Sequence, residues 1–215
     1  MWDQLLISAG SVVFTVEDVV LLFVLVGYAA WWSYDLRHGS TFHRPYLVLH
    51  ILVYGLFAFW TFGSWAIELG AVGAGGYQVV GLGTLTLPFV IAAAAHRGLR
   101  YGRENVSVGR TETGGWRYRG STGIAAYWLL LWVVRAIVED GFLRGYSVFL
   151  GAYYAGFQPA NVVVPAGVSP IEFLWLVSLV ELLYLLSFGV MIGFTLGIWS
   201  SFRRGRAAAK SSVPS

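Results

Sequence analysis

Ionisable side chains inside long apolar stretches are the first candidates for chemistry in this 215-residue sequence. Arg135 and Glu139 lie four residues apart in one such stretch, so a helix would place both on the same face. Asp140 and Arg144 follow closely, and Glu181 lies at middle depth in a later stretch. Charges within a membrane are costly, which makes these residues candidates for function. The candidate acid or base groups are Glu139, Asp140 and Glu181, and the candidate binding groups are Arg135, Arg144 and Glu172.

The same side chains also have a purely structural interpretation. A deprotonated Glu181 without a partner would be very unfavourable in hydrocarbon, and Arg135 is the nearest cation at a similar depth. A buried Arg135–Glu181 pair or Arg135–Glu139 pair would fix the packing of the helices without taking part in a reaction. Four further acids lie at predicted helix ends, where we expect water to reach them: Glu17, Asp18, Glu68 and Glu172.

One short run resembles a motif of a known family. Glu139-Asp140-x-x-x-Arg144-Gly145 is similar to the first motif of the CPBP family of intramembrane proteases, which reads Glu-Glu-x-x-x-Arg and is often followed by glycine. That family places its catalytic histidines on later helices, whereas no histidine follows His96 in this sequence. The resemblance therefore carries no catalytic assignment.

The histidines indicate where a cofactor would bind. His50 and His96 lie near the predicted inner ends of two consecutive antiparallel spans, which makes them weak candidates to ligate haem iron or a divalent metal. No recognised ligand spacing accompanies them, so we predict no cofactor. The absence of cysteine excludes thiolate catalysis and cysteine-based metal sites. The apolar stretches also lack lysine, which excludes a Schiff base within the membrane.

The composition predicts an integral membrane protein as the setting for these residues. The chain is 57% hydrophobic and 12% charged, with a mean hydropathy of +0.68, whereas soluble domains are about 25% charged. A membrane-spanning helix needs about 20 apolar residues. Five stretches qualify: 14–34, 46–69, 77–96, 121–139 and 171–202. We therefore predict an all-α bundle of five transmembrane helices in a single domain, residues 1–202, followed by a basic, flexible tail at 203–215.

The basic residues predict the orientation of this bundle. Segments 35–45, 97–120 and 203–215 together hold twelve of the fourteen lysines and arginines. All three lie inside if the N-terminus is outside, as the positive-inside rule requires. We therefore predict a multi-pass plasma-membrane protein whose N-terminus is outside and whose C-terminus is inside. The expected partners of the basic segments are the bilayer and its anionic inner-face lipids, not nucleic acid.

Two connecting segments have features of their own. Segment 141–170 is apolar and aromatic, but several glycines together with Pro159 and Pro165 interrupt it. We expect an outer loop with a short re-entrant or interfacial helix there. The inner run 106–119 alternates around a Gly-Gly turn, which predicts a small β-hairpin.

Gly189, Gly193 and Gly197 recur every four residues in the fifth predicted span. Such a stripe of small residues allows another helix backbone to approach closely. The partner would be a neighbouring helix of the same chain, which we favour, or another protein chain, including a second copy.

Three classes of function remain open from the sequence. A non-catalytic accessory, assembly or scaffold subunit is our leading hypothesis, because the small chain has no nucleotide-binding loop and no nucleophile elbow. One alternative is a membrane-embedded enzyme that acts on a lipid or other membrane-soluble substrate in a charged pocket on the outer side. The other is an oligomeric transporter or channel.

Overall fold

The computed structural model describes residues 7–9, 12–14, 16–41, 43–112 and 114–211. The side chains of Glu17 and Asp18 lie outside this description, as do residues 212–215 of the predicted tail. The elements in chain order are β1 (Ile7–Ala9), β2 (Val12–Phe14), α1 (Val16–His38), β3 (Ser40–Thr41), α2 (Arg44–Gly70), α3 (Ala74–Glu104), β4 (Val106–Arg110), β5 (Trp116–Gly120), α4 (Gly123–Ala136), a π helix (Ile137–Phe142), α5 (Val148–Tyr154), a 3-10 turn (Pro159–Asn161) and α6 (Pro170–Ser211).

The chain is mostly helix, and each predicted apolar stretch is helical over most of its length. The first stretch differs at both ends, because Phe14 lies in β2 and α1 continues to His38. Among the described residues, three helices are long and apolar enough to cross a membrane: Arg44–Gly70, Ala74–Glu104 and Pro170–Ala207. The other two stretches correspond to α1 and to α4 with its π-helical extension. Helix α3 continues eight residues beyond the predicted end at 96, and α6 continues to Ser211 instead of ending at 202. The predicted tail therefore begins inside α6.

Helix α6 is the central element of the fold. In its most apolar window 61% of the residues are buried, against 17% in α2 and 6% in α3, so the other helices surround it. Two tryptophans fasten neighbouring helices to it. The indole of Trp65 on α2 donates to Ser178 at 3.2 Å, and the indole of Trp132 on α4 donates to Ser187 at 3.2 Å.

The glycine stripe of α6 packs against α3 of the same chain. A Cβ added at Gly189 would lie 2.9 Å from the Ala94 side chain, and one at Gly197 would lie 2.7 Å from the Leu99 carbonyl oxygen. A Cβ at Gly193 would collide with the Ala95 carbonyl. The two backbones therefore touch, and the face that bears the stripe is covered by α3.

A three-stranded antiparallel sheet lies at one end of the helices, which we call the sheet end. Its strand order is β3-β5-β4, so the predicted hairpin is confirmed and the segment between α1 and α2 adds a third strand. Trp116 of this sheet packs edge-to-face on Phe202 of α6, with ring centroids 5.1 Å apart. The sheet thus joins the three basic segments at the same end.

Helix α5 and the 3-10 turn cover the opposite end, which we call the α5 end. The Trp60 indole on α2 donates to the Phe149 carbonyl at 3.0 Å, and the Phe149 ring also packs on Phe57. Segment 141–170 therefore contains the expected short helix, and that helix is fastened to α2.

Candidate functional site

A cluster of buried ionisable side chains lies beneath α5. Helix α2 contributes Glu68, α4 and its π-helical extension contribute Arg135 and Glu139, and α6 contributes Glu181. Glu68 and Glu181 are 0% exposed, Glu139 is 3% exposed and Arg135 is 7% exposed. The three carboxyl groups are close enough to interact electrostatically with one another. We call these four residues the carboxyl cluster.

The structure distinguishes between the two ion pairs that the sequence allows. Arg135 pairs with Glu139 through Nη1, and the same nitrogen donates to the Tyr184 hydroxyl at 2.8 Å. The guanidinium also lies 5.3 Å from the ring centroid of Trp132. Arg135 makes no ion pair with Glu181 among the described residues, so the pair that forms is Arg135–Glu139.

Helix α5 is held by two of the carboxylates. Oε1 of Glu139 accepts a hydrogen bond from the Val148 amide at 3.1 Å, and Oε1 of Glu68 accepts one from the Ala152 amide at 3.2 Å. The expectation that water reaches Glu68 at a helix end is therefore wrong. Its helix does end at Gly70, but α5 folds over the end and removes the carboxylate from solvent.

Glu181 differs from the other carboxyl groups because neither of its oxygens has a hydrogen-bond partner among the described residues. Oε2 of Glu68 and Nε of Arg135 are likewise buried without one. Buried charges in proteins are normally paired or bound to a cation. One guanidinium cannot balance three carboxylates, so bound protons or a cation must balance the remaining charge.

Tyr146 connects the cluster to a cavity at the α5 end. Its hydroxyl is buried without a hydrogen-bond partner in the described chain, and burial together with the Glu68 carboxylate raises the pKa of this phenol. A Cβ added at Gly151 would lie 2.5 Å from Oε1 of Glu68 and would collide with the tyrosine hydroxyl, so both side chains would have to shift to admit one. Tyr146 and Gly151 both line a cavity of about 310 Å³ that also reaches Asn161.

A π helix carries two of the predicted acids. Glu139 and Asp140 lie within Ile137–Phe142, directly after α4. Asp140 is 8% exposed and contributes to the electrostatic environment of Arg135. Most π segments are single turns, and they occur frequently at functional sites.

The other two predicted binding residues lie outside the cluster. Arg144 is exposed in a left-handed backbone conformation, with φ of 56°, and lies beneath Gly167. Glu172 is exposed and accepts the Ser169 amide at 2.8 Å, while the Ser169 hydroxyl accepts the Glu172 amide at 3.2 Å. This reciprocal pair is a capping box that begins α6.

The histidines lie toward the sheet end. His50 lines a cavity of about 460 Å³ together with Tyr28, Trp32 and Asp35. His96 is exposed on α3 and does not line that cavity. In the part of the chain that the structure describes, no group of three or more His, Asp or Glu side chains is arranged to hold a metal ion.

Sequence reasoning missed Glu68, Tyr146 and Tyr184 as members of this site. One signal for Glu68 was present, because Thr61, Ser64 and Glu68 recur at helical spacing within an apolar stretch. All three are buried on one face of α2.

Comparison with known proteins adds no relative, since no family model, no curated protein and no solved structure matches this chain.

Proposed function

We propose that this chain is a five-span protein of the plasma membrane, with its N-terminus outside and its C-terminus inside. Three spans are α2, α3 and α6. For the other two, α1 has 23 residues, and the 14 residues of α4 continue directly into a six-residue π helix. At about 1.5 Å per residue these segments reach about 35 Å and about 30 Å, which matches a hydrocarbon core of about 30 Å.

The proposed orientation is supported by where the basic segments meet. The sheet joins segments 35–45 and 97–120, and the basic last turns of α6 begin beside it, where Phe202 contacts Trp116. Arginine and lysine concentrate on the inner side of membrane proteins. The sheet end is therefore inside, and the α5 end, with the carboxyl cluster beneath it, is outside.

We further propose that the carboxyl cluster takes up and releases protons through the α5 end, as in proton-coupled membrane transport proteins. Glu181 is the observation that carries this proposal. A fully buried carboxyl group with no hydrogen-bond partner among the described residues, beside two further carboxyl groups and one arginine, is poorly explained by packing alone. Ionisable residues in this environment mark proton relays and ion pathways in membrane proteins.

The described residues favour the proton over a metal ion, because no group of three or more His, Asp or Glu side chains among them is arranged to hold one. A proton passes along hydrogen-bonding groups and needs no such set of ligands. Tyr146 supplies a hydroxyl between the cavity at the α5 end and Glu68, and Glu68 interacts electrostatically with Glu181.

Infrared spectroscopy of the purified protein tests the proposal. A protonated carboxyl group has a C=O stretching band separate from those of carboxylates. Above about pH 6 exposed carboxyl groups are ionised and do not contribute to this band. In that range we expect the band to change with pH in the wild type, to lose the contribution of one carboxyl in Glu181→Gln, and to stay unchanged in Glu172→Gln. Glu172 is the matched control because it is an exposed acid on the same helix.

The result against the proposal would be a pH-dependent band that is the same in Glu181→Gln and in the wild type. Thermal unfolding of each variant separates loss of a proton site from loss of the fold. If Glu181→Gln is folded and its band is unaltered, Glu181 does not bind an exchangeable proton.

A second candidate function, an accessory or scaffold subunit, is favoured by a different observation. Glu139 and Glu68 each accept a hydrogen bond from a backbone amide of α5, so two carboxylates hold α5 in place. In a scaffold this segment would be the rigid surface that a partner subunit binds. Purification from native membranes would then recover a stoichiometric partner, and recovery of the chain alone would contradict this candidate.

A further inference from the structure

We infer that a cleft between α3 and α4 binds one anionic phospholipid, with its phosphate at Arg97 and an acyl chain against α6. The cleft has a volume of about 690 Å³ and begins near the sheet end. This inference is independent of the proton-binding proposal, because the cleft and the carboxyl cluster share no residue.

The cleft exists because α3 and α4 both pack on α6 but, within the described chain, have little contact with each other. Leu186 and Val190 of α6 form its floor. On the α3 side the lining side chains at this depth are small, Ala93 and Ala94, and Ile124 lines the cleft from α4. The part of the cleft that lies deeper in the membrane is therefore apolar, and we expect it to open toward the surrounding lipid.

The polar residues lie where the cleft meets the sheet end. Arg97 and Arg100 follow the alanines at one-turn spacing along α3, and Tyr101 and Asn105 lie further toward the helix end. Apolar lining at depth and basic lining at the aqueous end match the two parts of a phospholipid. Arginine suits the phosphate because its guanidinium donates two parallel hydrogen bonds.

Arg97 is the residue that we assign to the phosphate. Arg100 is already paired with Glu104 at 2.7 Å, whereas Arg97 makes no ion pair with any described residue. The pair at Arg100 leaves Arg97 as the unbalanced charge of the rim. An anionic headgroup fits this charge, and a free phosphate ion would leave the apolar floor unused.

Native mass spectrometry of the detergent-purified protein tests this assignment with phosphatidylglycerol, phosphatidylcholine and glycerol phosphate as probes. We expect one phosphatidylglycerol to bind about fivefold or more tightly than phosphatidylcholine, which is the factor expected for one arginine near an anionic headgroup. Glycerol phosphate alone should not form a retained complex. Arg97→Gln should remove the preference, whereas Arg103→Gln, an exposed arginine on the same helix outside the cleft, should keep it.

A second variant tests the acyl-chain part with the arginine intact. Ala93→Phe places a large side chain in the cleft and should weaken the binding of phosphatidylglycerol while the fold, measured by thermal unfolding, is retained. Equal retention of phosphatidylglycerol by the wild type, Arg97→Gln and Ala93→Phe would overturn the assignment. Binding of glycerol phosphate as tight as that of the lipid would overturn it as well, since the site would then be one for free phosphate.

Discussion

Two arginine–glutamate pairs in this chain have the same spacing of four residues and opposite surroundings. In Arg135–Glu139 the side chains are 9% and 4% exposed, whereas in Arg100–Glu104 they are 61% and 56% exposed. The buried pair lies beside two further carboxyl groups, and the exposed pair lies at the rim of a cleft. The same pair of side chains therefore contributes differently to the free energy of unfolding at the two positions.

Removing the buried arginine should be far more costly than removing the exposed one. Arg135→Gln leaves the Glu139 carboxylate buried without its cation, so we expect a loss of about 3–5 kcal/mol in the free energy of unfolding. Arg100→Gln, the matched control, should change the free energy of unfolding little, because water already solvates this exposed pair. Chemical denaturation in detergent measures both values.

The double variant Arg135→Gln/Glu139→Gln completes this comparison. It removes both charges, so we expect it to recover much of the stability lost in Arg135→Gln. Equal losses in Arg135→Gln and Arg100→Gln would show that the buried pair does not depend on its arginine for charge balance.

At the level of single residues, the sequence indicates contacts within one helix better than contacts between distant segments of the chain. The spacing of Arg135 and Glu139 is a local property, so their pairing could be predicted. The environment of Glu68 depends on a segment eighty-four residues later in the chain, where the Ala152 amide meets its carboxylate. Nothing near Glu68 in the sequence indicates that α5 will cover it, although the polar face shared with Thr61 and Ser64 was a usable signal.

Among the described elements, α3 and α6 make the most extensive contact of any two helices, and their backbones touch along this seam. Small residues on both sides make it possible, since Gly98 on α3 meets the Val190 carbonyl and Gly193 on α6 meets the Ala95 carbonyl. The glycine spacing predicted such a contact but left its partner open. The partner is decided by the fold of the whole chain, which places α3 along this face.

Filling the seam should destabilise the fold. In Gly193→Ala the new methyl group would overlap the Ala95 carbonyl, and we expect a loss of about 1–3 kcal/mol in stability. Gly63→Ala on α2 is the control, because a Cβ there meets nothing within 4 Å. The control should be unchanged or slightly more stable, by up to about 1 kcal/mol. Thermal unfolding in detergent compares the two, and a tolerated alanine at Gly193 would contradict the close packing.

Element boundaries were predictable only where the membrane determines them. The apolar stretches located every long helix, but α3 and α6 extend past the predicted ends because polar and basic residues continue the helix beyond the apolar part. The π helix at Ile137–Phe142 had no signal that hydrophobic patterning can detect, since its composition does not differ from that of a helix end.

For the whole molecule, the proposed orientation can be tested by cysteine labelling because the chain contains no cysteine of its own. Glu112→Cys lies in the hairpin connection at the sheet end, and Val163→Cys lies at the α5 end, where Val163 is 76% exposed. A membrane-impermeant maleimide should label Val163→Cys in intact cells. It should label Glu112→Cys only after the membrane is opened.

Labelling of both positions from the same side would contradict the arrangement of spans. Labelling of Glu112→Cys alone in intact cells would mean that the bundle is inverted, with the carboxyl cluster near the inner surface. The ratio of labelling before and after permeabilisation distinguishes these outcomes, and the unsubstituted chain gives the background.

The length of α6 has a mechanical consequence. This helix runs without a break for 42 residues and carries both Glu181 and Arg204. The two positions are about 35 Å apart along its axis. A continuous helix behaves as a stiff rod, so a rotation imposed on it at one end must appear at the other. Because Arg44 lies over the Trp199 and Phe202 rings, 5.8 and 5.5 Å from their centroids, such a rotation would also shift the start of α2. Helix α6 therefore couples the α5 end and the sheet end mechanically.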